Sequence, residues 1–181
     1  MPERVVVFLR GVNVGGAKKV EMARLRRLIE SLGHEDVRTL LNSGNAVFTC
    51  QGPAHEVAGA LEDAIEAEFG FASRVVVRTG AELAKAMKAD PLLDVMDNPS
   101  RHFVGFMAAK PGGATVKALE GRDFGDDLLR VVGQHLYLWC PEGLSVSAFA
   151  KVDLDRELGV AVTTRNWNTV TKLAAMLDAR N

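Results

Sequence analysis

Three short polar segments carry the side chains of this sequence that could bind a ligand. They are residues 10–16 (RGVNVGG), 42–45 (NSGN) and 163–169 (TTRNWNT), and apolar residues flank each of them. Their asparagine, arginine, glycine and hydroxyl groups can donate or accept hydrogen bonds, but none is a ready nucleophile or proton acceptor at neutral pH. The sequence therefore predicts a recognition surface, and whether the protein is an enzyme stays open.

The first segment follows a predicted strand and precedes a predicted helix, a place where backbone N–H groups bind anions. Gly11 and Gly16 stand at Walker A spacing, but Ala17 occupies the position of the lysine, so nucleotide hydrolysis by this loop is not expected. The alternative interpretation is a glycine-rich turn in which Arg10 forms a salt bridge and Asn13 bonds to the backbone.

The other two segments also have structural interpretations. NSGN is a good turn sequence, because asparagine and glycine tolerate positive φ and Ser43 can bond to nearby backbone. In the third segment, Thr164 or Asn166 can cap the last helix. Arg165 adds a charge that capping does not explain, whereas Trp167 falls on the apolar stripe of that helix.

We predict that the three segments converge on one cleft that binds a small anionic ligand, such as a nucleotide or a phosphorylated metabolite. Arg10 and Arg165 would supply charge, and backbone N–H groups near Gly15 and Gly16 would cradle the anion. The predicted ligand-binding residues are Arg10, Asn13, Gly15, Gly16, Asn42, Ser43, Asn45, Arg165, Asn166 and Asn168. No metal site and no particular cofactor are indicated.

Two other classes of function are kept as alternatives. An RNA- or nucleic-acid-binding module would stack bases on Tyr137 and Trp139, although a formal net charge of -1 argues against a main partner that is a phosphate backbone. Its basic surface would be formed by Lys18, Lys19, Arg24, Arg26, Arg27 and Arg38. In a non-catalytic protein-interaction protein, the asparagines would instead satisfy buried backbone groups between two halves.

The remaining candidates for chemistry are weaker. The histidines are scattered singly, without an aspartate, cysteine or serine partner at motif spacing, which indicates surface or strand-end positions. They are His34, His55, His102 and His135. Cys50 and Cys140 lie outside any CxxC or Cys/His cluster, so we expect buried free thiols and no structural zinc.

The predicted elements that position the segments run in the order βαββαβ through the first half, the order of a split βαβ unit. The strands are expected at 4–10, 37–41, 46–50 and 75–77, with helices at 21–32 and from Pro53 to Phe69, and a capping box at 79–82 opens a third helix. The second half loosely repeats this pattern. We expect a strand at 102–109, a short helix within 111–120, a hairpin of 128–132 and 135–140, and helices near 147–158 and 166–179.

This order predicts an α+β fold of two packed or intertwined ferredoxin-like halves with antiparallel or mixed sheets. The halves are expected at residues 1–90 and 91–181, together forming one compact unit. Composition is that of an ordinary globular protein, with 48% hydrophobic and 25% charged residues. The apolar run 5–9 is too short for a signal peptide or a membrane span, and Arg10 ends it. We therefore expect a cytoplasmic protein without a membrane partner, in an oligomeric state that the sequence leaves open.

The block VFLRGVNVGGAKKVEMARLRRLIESLGHEDVRTLLNSGNAVF and the closing TTRNWNTVTKLAAML resemble the bacterial proteins grouped as domain of unknown function 1697. The resemblance spans nearly the whole chain and implies a compact α+β protein of two ferredoxin-like subdomains, without implying an activity. One stretch departs from the family pattern. The family tends towards a glycine, a basic residue and Ser-Lys after residues 141–143, where this chain has Leu144-Ser145-Val146-Ser147-Ala148. A ligand held by that basic pair would be bound weakly here or not at all.

Overall fold

The computed structural model describes residues 2–179, which form an α+β protein with two four-stranded antiparallel sheets and six α-helices. Contacts divide the chain into two compact units. The first unit contains the residues up to Ala84 together with those from Leu173 onward, and the second contains Lys85–Lys172. The assignment of 1–90 and 91–181 to two halves of one compact body stays a prediction.

The first unit is built on one four-stranded sheet. Its elements are β1 (Glu3–Leu9), α1 (Met22–Ser31), β2 (Glu35–Leu40), β3 (Asn45–Cys50), α2 (Ala54–Phe69) and β4 (Val75–Thr79). The strand order is β2-β3-β1-β4, and β1 pairs antiparallel with both β3 and β4. Gly70 ends α2 in the left-handed conformation, with φ 78°. The strands and helices predicted for this part of the chain are confirmed, with ends that differ by one or two residues.

The apolar run of β1 is explained by burial on both faces of its sheet. Val5, Val7 and Leu9 join a core with residues of α1 and α2, namely Leu25, Ile29, Leu61 and Ile65. Val6 and Phe8, which alternate with them, are also fully buried. A strand buried on both faces reads as a continuous hydrophobic run rather than as an alternating one.

The second unit is built on the other sheet. Its elements are β5 (His102–Met107), α4 (Gly113–Glu120), β6 (Leu128–Val132), β7 (His135–Trp139), α5 (Leu154–Leu158) and β8 (Val162–Asn166). The strand order is β6-β7-β5-β8, with β5 paired antiparallel to β7 and β8. Leu119, Leu136, Leu138 and Phe149 belong to its core. Cys140 also lies in this core, and Cys50 lies in the core of the first unit, both as buried free thiols.

One sequence expectation in the second unit was wrong, and one strand was not predicted. The single helix expected near 147–158 is a 3-10 turn at Ala148–Lys151 followed by the separate α5, because Ser147 and Asp153 each cap a new turn with their side chains. The polar stretch 162–166 is a strand that pairs with β5 over its whole length. Its threonines and arginine are mostly buried, so the polar composition of this stretch does not indicate that it is a strand.

One further helix begins directly after the last strand of each sheet, which makes two. In α3 (Gly80–Lys88) the predicted capping box forms, since Thr79 N–H donates to Glu82 Oε2 at 2.8 Å and Glu82 N–H donates to Thr79 Oγ1 at 3.2 Å. In α6 (Trp167–Asp178) the Asn166 side chain accepts from Thr169 N–H at 2.9 Å. None of the helices within residues 2–179 has the length and apolar content needed to cross a bilayer.

Candidate functional site

Asn13 joins the first two polar segments inside the first unit. Its Oδ1 accepts from Val20 N–H at 2.9 Å, and its Nδ2 donates to Val20 O at 2.8 Å and to Asn42 O at 2.6 Å. The Asn13 side chain thus closes the loop of residues 13–20 and bonds it to the 42–45 turn. The polar atoms of Asn13 are used in this framework, as the structural interpretation of the segment predicted.

Gly44 packs the 42–45 turn against the first segment. Its φ is 85°, and its carbonyl accepts from Leu9 N–H at 2.8 Å. A Cβ at this position would lie 2.7 Å from Val12 Cγ2 and 2.8 Å from Leu9 Cβ. Only glycine satisfies both the left-handed backbone and this close approach.

Asn45 stabilises the same turn from within. It is completely buried, and its Nδ2 donates to Leu40 O at 2.9 Å and to Ser43 Oγ at 2.8 Å. Buried amides are normally hydrogen-bonded, and here the bonds are internal to the turn. For Ser43 and Asn45, the geometry therefore agrees with a structural role in the NSGN segment.

Gly15 and Gly16 form the turn of a miniature hairpin. Val14 and Ala17 form an isolated antiparallel bridge, and the two glycines between them have φ values of 62° and 78°. Positive φ at both central positions is the type I′ geometry of a two-residue hairpin. Because α1 begins only at Met22, these glycines lie well before the helix N-terminus. The direct strand-to-helix turn expected from the sequence is replaced by this hairpin, which we call the 13–18 hairpin.

A cavity of about 450 Å³, open to solvent, lies between the 13–18 hairpin, the start of α1 and the 42–45 turn. Its lining residues are Asn13, Gly16, Lys19, Val20, Glu21, Met22 and Asn42. Lys19 and Asn42 are exposed, and their side chains have no hydrogen bond or ion pair with another residue of the described range 2–179. These two side chains are therefore available to a ligand, in contrast to the amides of Asn13 and Asn45.

The first turn of α1 also borders this cavity. Its N-cap residue, Glu21, supplies no side-chain cap, so the first-turn N–H groups keep their hydrogen-bonding capacity. These N–H groups carry the positive end of the helix dipole. The carboxylate of Glu21 adds one negative charge near the Lys19 ammonium. The cavity thus offers one ammonium group, one carboxamide and the donors of a helix end.

Arg10, the cation predicted for the first segment, lies at the end of β1 and is not among the residues that line the cavity. Its N–H donates to Arg74 O at 2.9 Å, and its carbonyl accepts from the Ser73 hydroxyl at 2.9 Å. These backbone bonds hold the exit of β1 against the residues that precede β4.

The third polar segment belongs to the second unit. Arg165 stands opposite Val104 in the sheet and is 9% exposed. Its Nη1 donates to Thr163 Oγ1 and to Thr164 O, both at 2.8 Å, and burial lowers its pKa to about 10. Asn166 caps α6, as predicted from the sequence, and Asn168 is exposed. A common cleft for all three segments stays a prediction.

The second unit contains a buried histidine–carboxylate pair that is not expected from the sequence. His102 Nε2 bonds to Asp90 Oδ2, both side chains are fully buried, and Asp90 Oδ1 accepts from Leu92 N–H at 2.8 Å. Trp139 and Trp167 pack around the imidazole, with ring centroids 6.4 and 5.5 Å away. The spacing of Asp90 and His102 matches no sequence motif. The sequence marks Asp90 only as the residue before Pro91, where a helix is expected to end. Within residues 2–179, no three His, Cys, Asp or Glu side chains are grouped to hold a metal ion.

The two aromatic residues considered for base stacking are buried. Tyr137 is inaccessible to solvent, and its hydroxyl donates to Ala86 O at 2.6 Å. Burial and the nearby Asp90 carboxylate raise the pKa of this hydroxyl. Trp139 is 7% exposed. Base stacking needs an exposed ring, which neither residue provides.

The fold and the cavity thus define an α+β protein whose two antiparallel sheets have the same strand order, with an open polar cavity in the first unit. The chain belongs to the family described as protein of unknown function (DUF1697), whose model matches residues 2–137. It is similar to the structure of the conserved bacterial protein SP0830 from Streptococcus pneumoniae. That likeness has a TM-score of 0.78 and 24% sequence identity, and it covers 98% of this chain and 100% of the other. At this identity the likeness shows the fold alone. No curated protein matches the chain at a significant level.

Proposed function

We propose that this protein binds a small anionic ligand in the cavity of the first unit. The observation that carries the proposal is that the side chains of Lys19 and Asn42 border the same cavity. Both side chains border the cavity and are free to bind, while the neighbouring amide of Asn13 is used to build the frame. A rigid frame around a few available polar groups is the usual composition of a small-molecule site.

The hydrogen-bond donors and the size of the cavity suit a phosphorylated ligand. The ammonium of Lys19 can bind a phosphate oxygen by a charge-assisted bond, and the N–H groups at the start of α1 can donate to another. The Asn42 amide can both donate and accept, which suits a sugar hydroxyl or a base edge. A volume of about 450 Å³ suits a nucleotide or a phosphorylated metabolite. The Glu21 carboxylate would repel a second anionic group of the ligand placed beside Glu21.

We also infer that the two halves are ferredoxin-like, as expected from the sequence. Support comes from the element order βαββαβ in the first unit and from the corresponding strand orders β2-β3-β1-β4 and β6-β7-β5-β8. The free cysteines in both cores suit a reducing compartment, which supports the expected cytoplasmic location.

A thermal-shift screen of the purified protein tests the proposal. The panel contains nucleotides, sugar phosphates and short RNA, because a ligand that binds the native state raises the melting temperature with concentration. We expect one phosphorylated class to raise the melting temperature of the wild type, and Lys19→Gln and Asn42→Ala each to abolish the shift. Lys110→Gln, an exposed lysine of the second unit, is the matched control and should respond like the wild type.

Three results would contradict this proposal. The first is no shift from any phosphorylated small molecule. The second is a shift that survives both Lys19→Gln and Asn42→Ala, which would place the ligand elsewhere. The third is a shift from RNA alone that falls steeply with salt, which would favour the nucleic-acid alternative.

A further inference from the structure

The 13–18 hairpin is fastened at its base, while its tip is exposed. Asn13 fixes one side of the base, and on the other side the Lys18 ammonium donates to Ala72 O at 3.1 Å from an exposed position. All tip residues, 14–17, are exposed. Within residues 2–179, the tip makes one hydrogen bond, from Ala17 N–H to Val14 O at 3.3 Å across its own turn. The tip can therefore move without breaking a hydrogen bond to the rest of the first unit.

The base of the hairpin also stores backbone strain. Asn13 and Lys18 face each other through the bond from Asn13 N–H to Lys18 O, and their φ values are 57° and 48°. Asparagine tolerates the left-handed region, whereas lysine adopts it only at a conformational cost. A change of backbone conformation at Lys18 would release that energy. Val14, at 68% exposure, is an apolar side chain that gains by moving out of water.

The present partner of Lys18 is weaker than an anion would be. An ionised acceptor attracts an ammonium more strongly than a neutral carbonyl does, and the Ala72 carbonyl is neutral and exposed. Lys19, the next residue, lines the cavity, and so does Gly16 of the hairpin turn. Lys18 and Ala72 do not line the cavity, so the Lys18 ammonium has to turn away from Ala72 O to reach an anion held by Lys19.

We propose that anion binding transfers the Lys18 ammonium from Ala72 O to the ligand and closes the 13–18 hairpin over the cavity. This inference rests on the function proposed above and adds a closing element to the same site. The tip moves about the strained Lys18, and Gly16 becomes the edge of the closed site. Closure excludes water from the bound anion and gives Val14 a surface to pack against.

Amide NMR with inorganic pyrophosphate as the probe tests closure separately from binding. In the wild type, pyrophosphate should shift the amide signals of Gly15 and Gly16 and slow hydrogen exchange at 14–17, in addition to shifting Met22 and the Asn42 side chain. Lys18→Gln should keep the shifts at Met22 and Asn42, with weaker affinity, and lose those at the two glycines. Lys18→Arg, which keeps the cation, should restore them.

The outcomes separate the two proposals. Shifts at Met22 and Asn42 with unchanged Gly15 and Gly16 signals in the wild type would overturn closure and leave the anion site standing. Glycine shifts that persist in Lys18→Gln would overturn the role of Lys18. An absence of shifts at every one of these positions would overturn closure together with pyrophosphate binding. As the control for folding, the spectra of the ligand-free variants should be unchanged outside the hairpin and the residues next to Ala72.

Discussion

Arg78 and Arg165 occupy matching positions in the two sheets. Each is the next-to-last residue of the last strand of its sheet, and each stands opposite a valine of the central strand, Val6 for Arg78 and Val104 for Arg165. Each donates through Nη1 to the carbonyl of the preceding residue at 2.8 Å. Burial lowers the pKa of both guanidinium groups. The two units thus place a buried cation at the same point of the same framework.

Replacing Arg165 by alanine should destabilise the protein, because it leaves Thr163 Oγ1 and Thr164 O without this donor in a buried setting. We expect a loss of about 2–3 kcal/mol in the free energy of unfolding, measured by urea denaturation. Arg165→Lys should lose less, since an ammonium can keep one of the bonds. An Arg165→Ala variant that unfolds like the wild type but no longer binds a phosphorylated ligand would instead assign Arg165 to a binding site.

Gly44→Ala should be among the most damaging single changes in the first unit. The added Cβ would lie 2.7 Å from Val12 Cγ2, and alanine is unfavourable at the left-handed φ of this position. We therefore expect a loss of about 3 kcal/mol or more in the free energy of unfolding. Gly15→Ala is the matched control, because its φ is 62° but nothing lies within 4 Å of its Cβ. That variant should lose only about 1 kcal/mol. Equal losses in the two variants would show that close packing at Gly44 is unimportant.

Asn13→Ala should both destabilise the first unit and disturb the cavity, since three hydrogen bonds to Val20 and Asn42 are lost together. We expect about 2 kcal/mol in the free energy of unfolding. Asn13→Asp keeps the acceptor for Val20 N–H but sets a carboxylate oxygen against the carbonyls of Val20 and Asn42, so its loss should be at least as large. A wild-type melting curve for Asn13→Ala would contradict the role assigned to this amide.

Lowering the pH should destabilise the protein because His34 binds a proton more tightly in the unfolded chain. Its Nδ1 accepts from Gln51 N–H at 3.2 Å, its ring stacks on Phe48, and burial lowers its pKa from 6.5. Because the unfolded chain then binds the proton more tightly, the contribution of His34 is fully present above pH 6.5 and is lost as the pH falls towards the lower folded-state pKa. The difference in unfolding free energy between wild type and His34→Gln should be constant above pH 7 and shrink below about 6.5. A pH-independent difference would contradict this assignment.

Breaking the Asp90–His102 pair from one side should cost about 1–3 kcal/mol, because His102 Nε2 and Leu92 N–H both lose their hydrogen-bond partner in a buried setting. Asp90→Ala is the change, and urea unfolding is the measurement. The two tryptophans of the chain both lie against His102, so the intrinsic fluorescence of the folded variant should change as well. An unaltered emission spectrum and unaltered stability would show that the pair contributes nothing to this core.

The sequence predicted the framework better than the chemistry around it. Apolar periodicity and the glycine after α2 located the elements of the first unit, because local pattern and burial agree there. The strand at 162–166 was missed because its buried threonines and arginine bond to one another and to the backbone, which composition does not reveal.

The candidate site was predicted only in part for a related reason. Asn13 and Asn42 were named as ligand residues, but only the folded chain shows that one amide is used in the frame and the other is available. Lys19 was considered only as part of a basic surface, and the Asp90–His102 pair depends on contacts between residues distant in sequence. Such pairings follow from tertiary structure, not from local pattern.

The return of the C-terminal part of α6 to the first unit has a consequence for synthesis. The second unit is one continuous stretch of chain, whereas the first needs residues from Leu173 onward, where the Met176 carbonyl accepts from the Arg4 guanidinium at 3.0 Å. Domains generally fold in the order in which they leave the ribosome. Here the unit that begins first is finished last, so the cavity-bearing unit cannot be completed until the segment that starts at Leu173 has been synthesised.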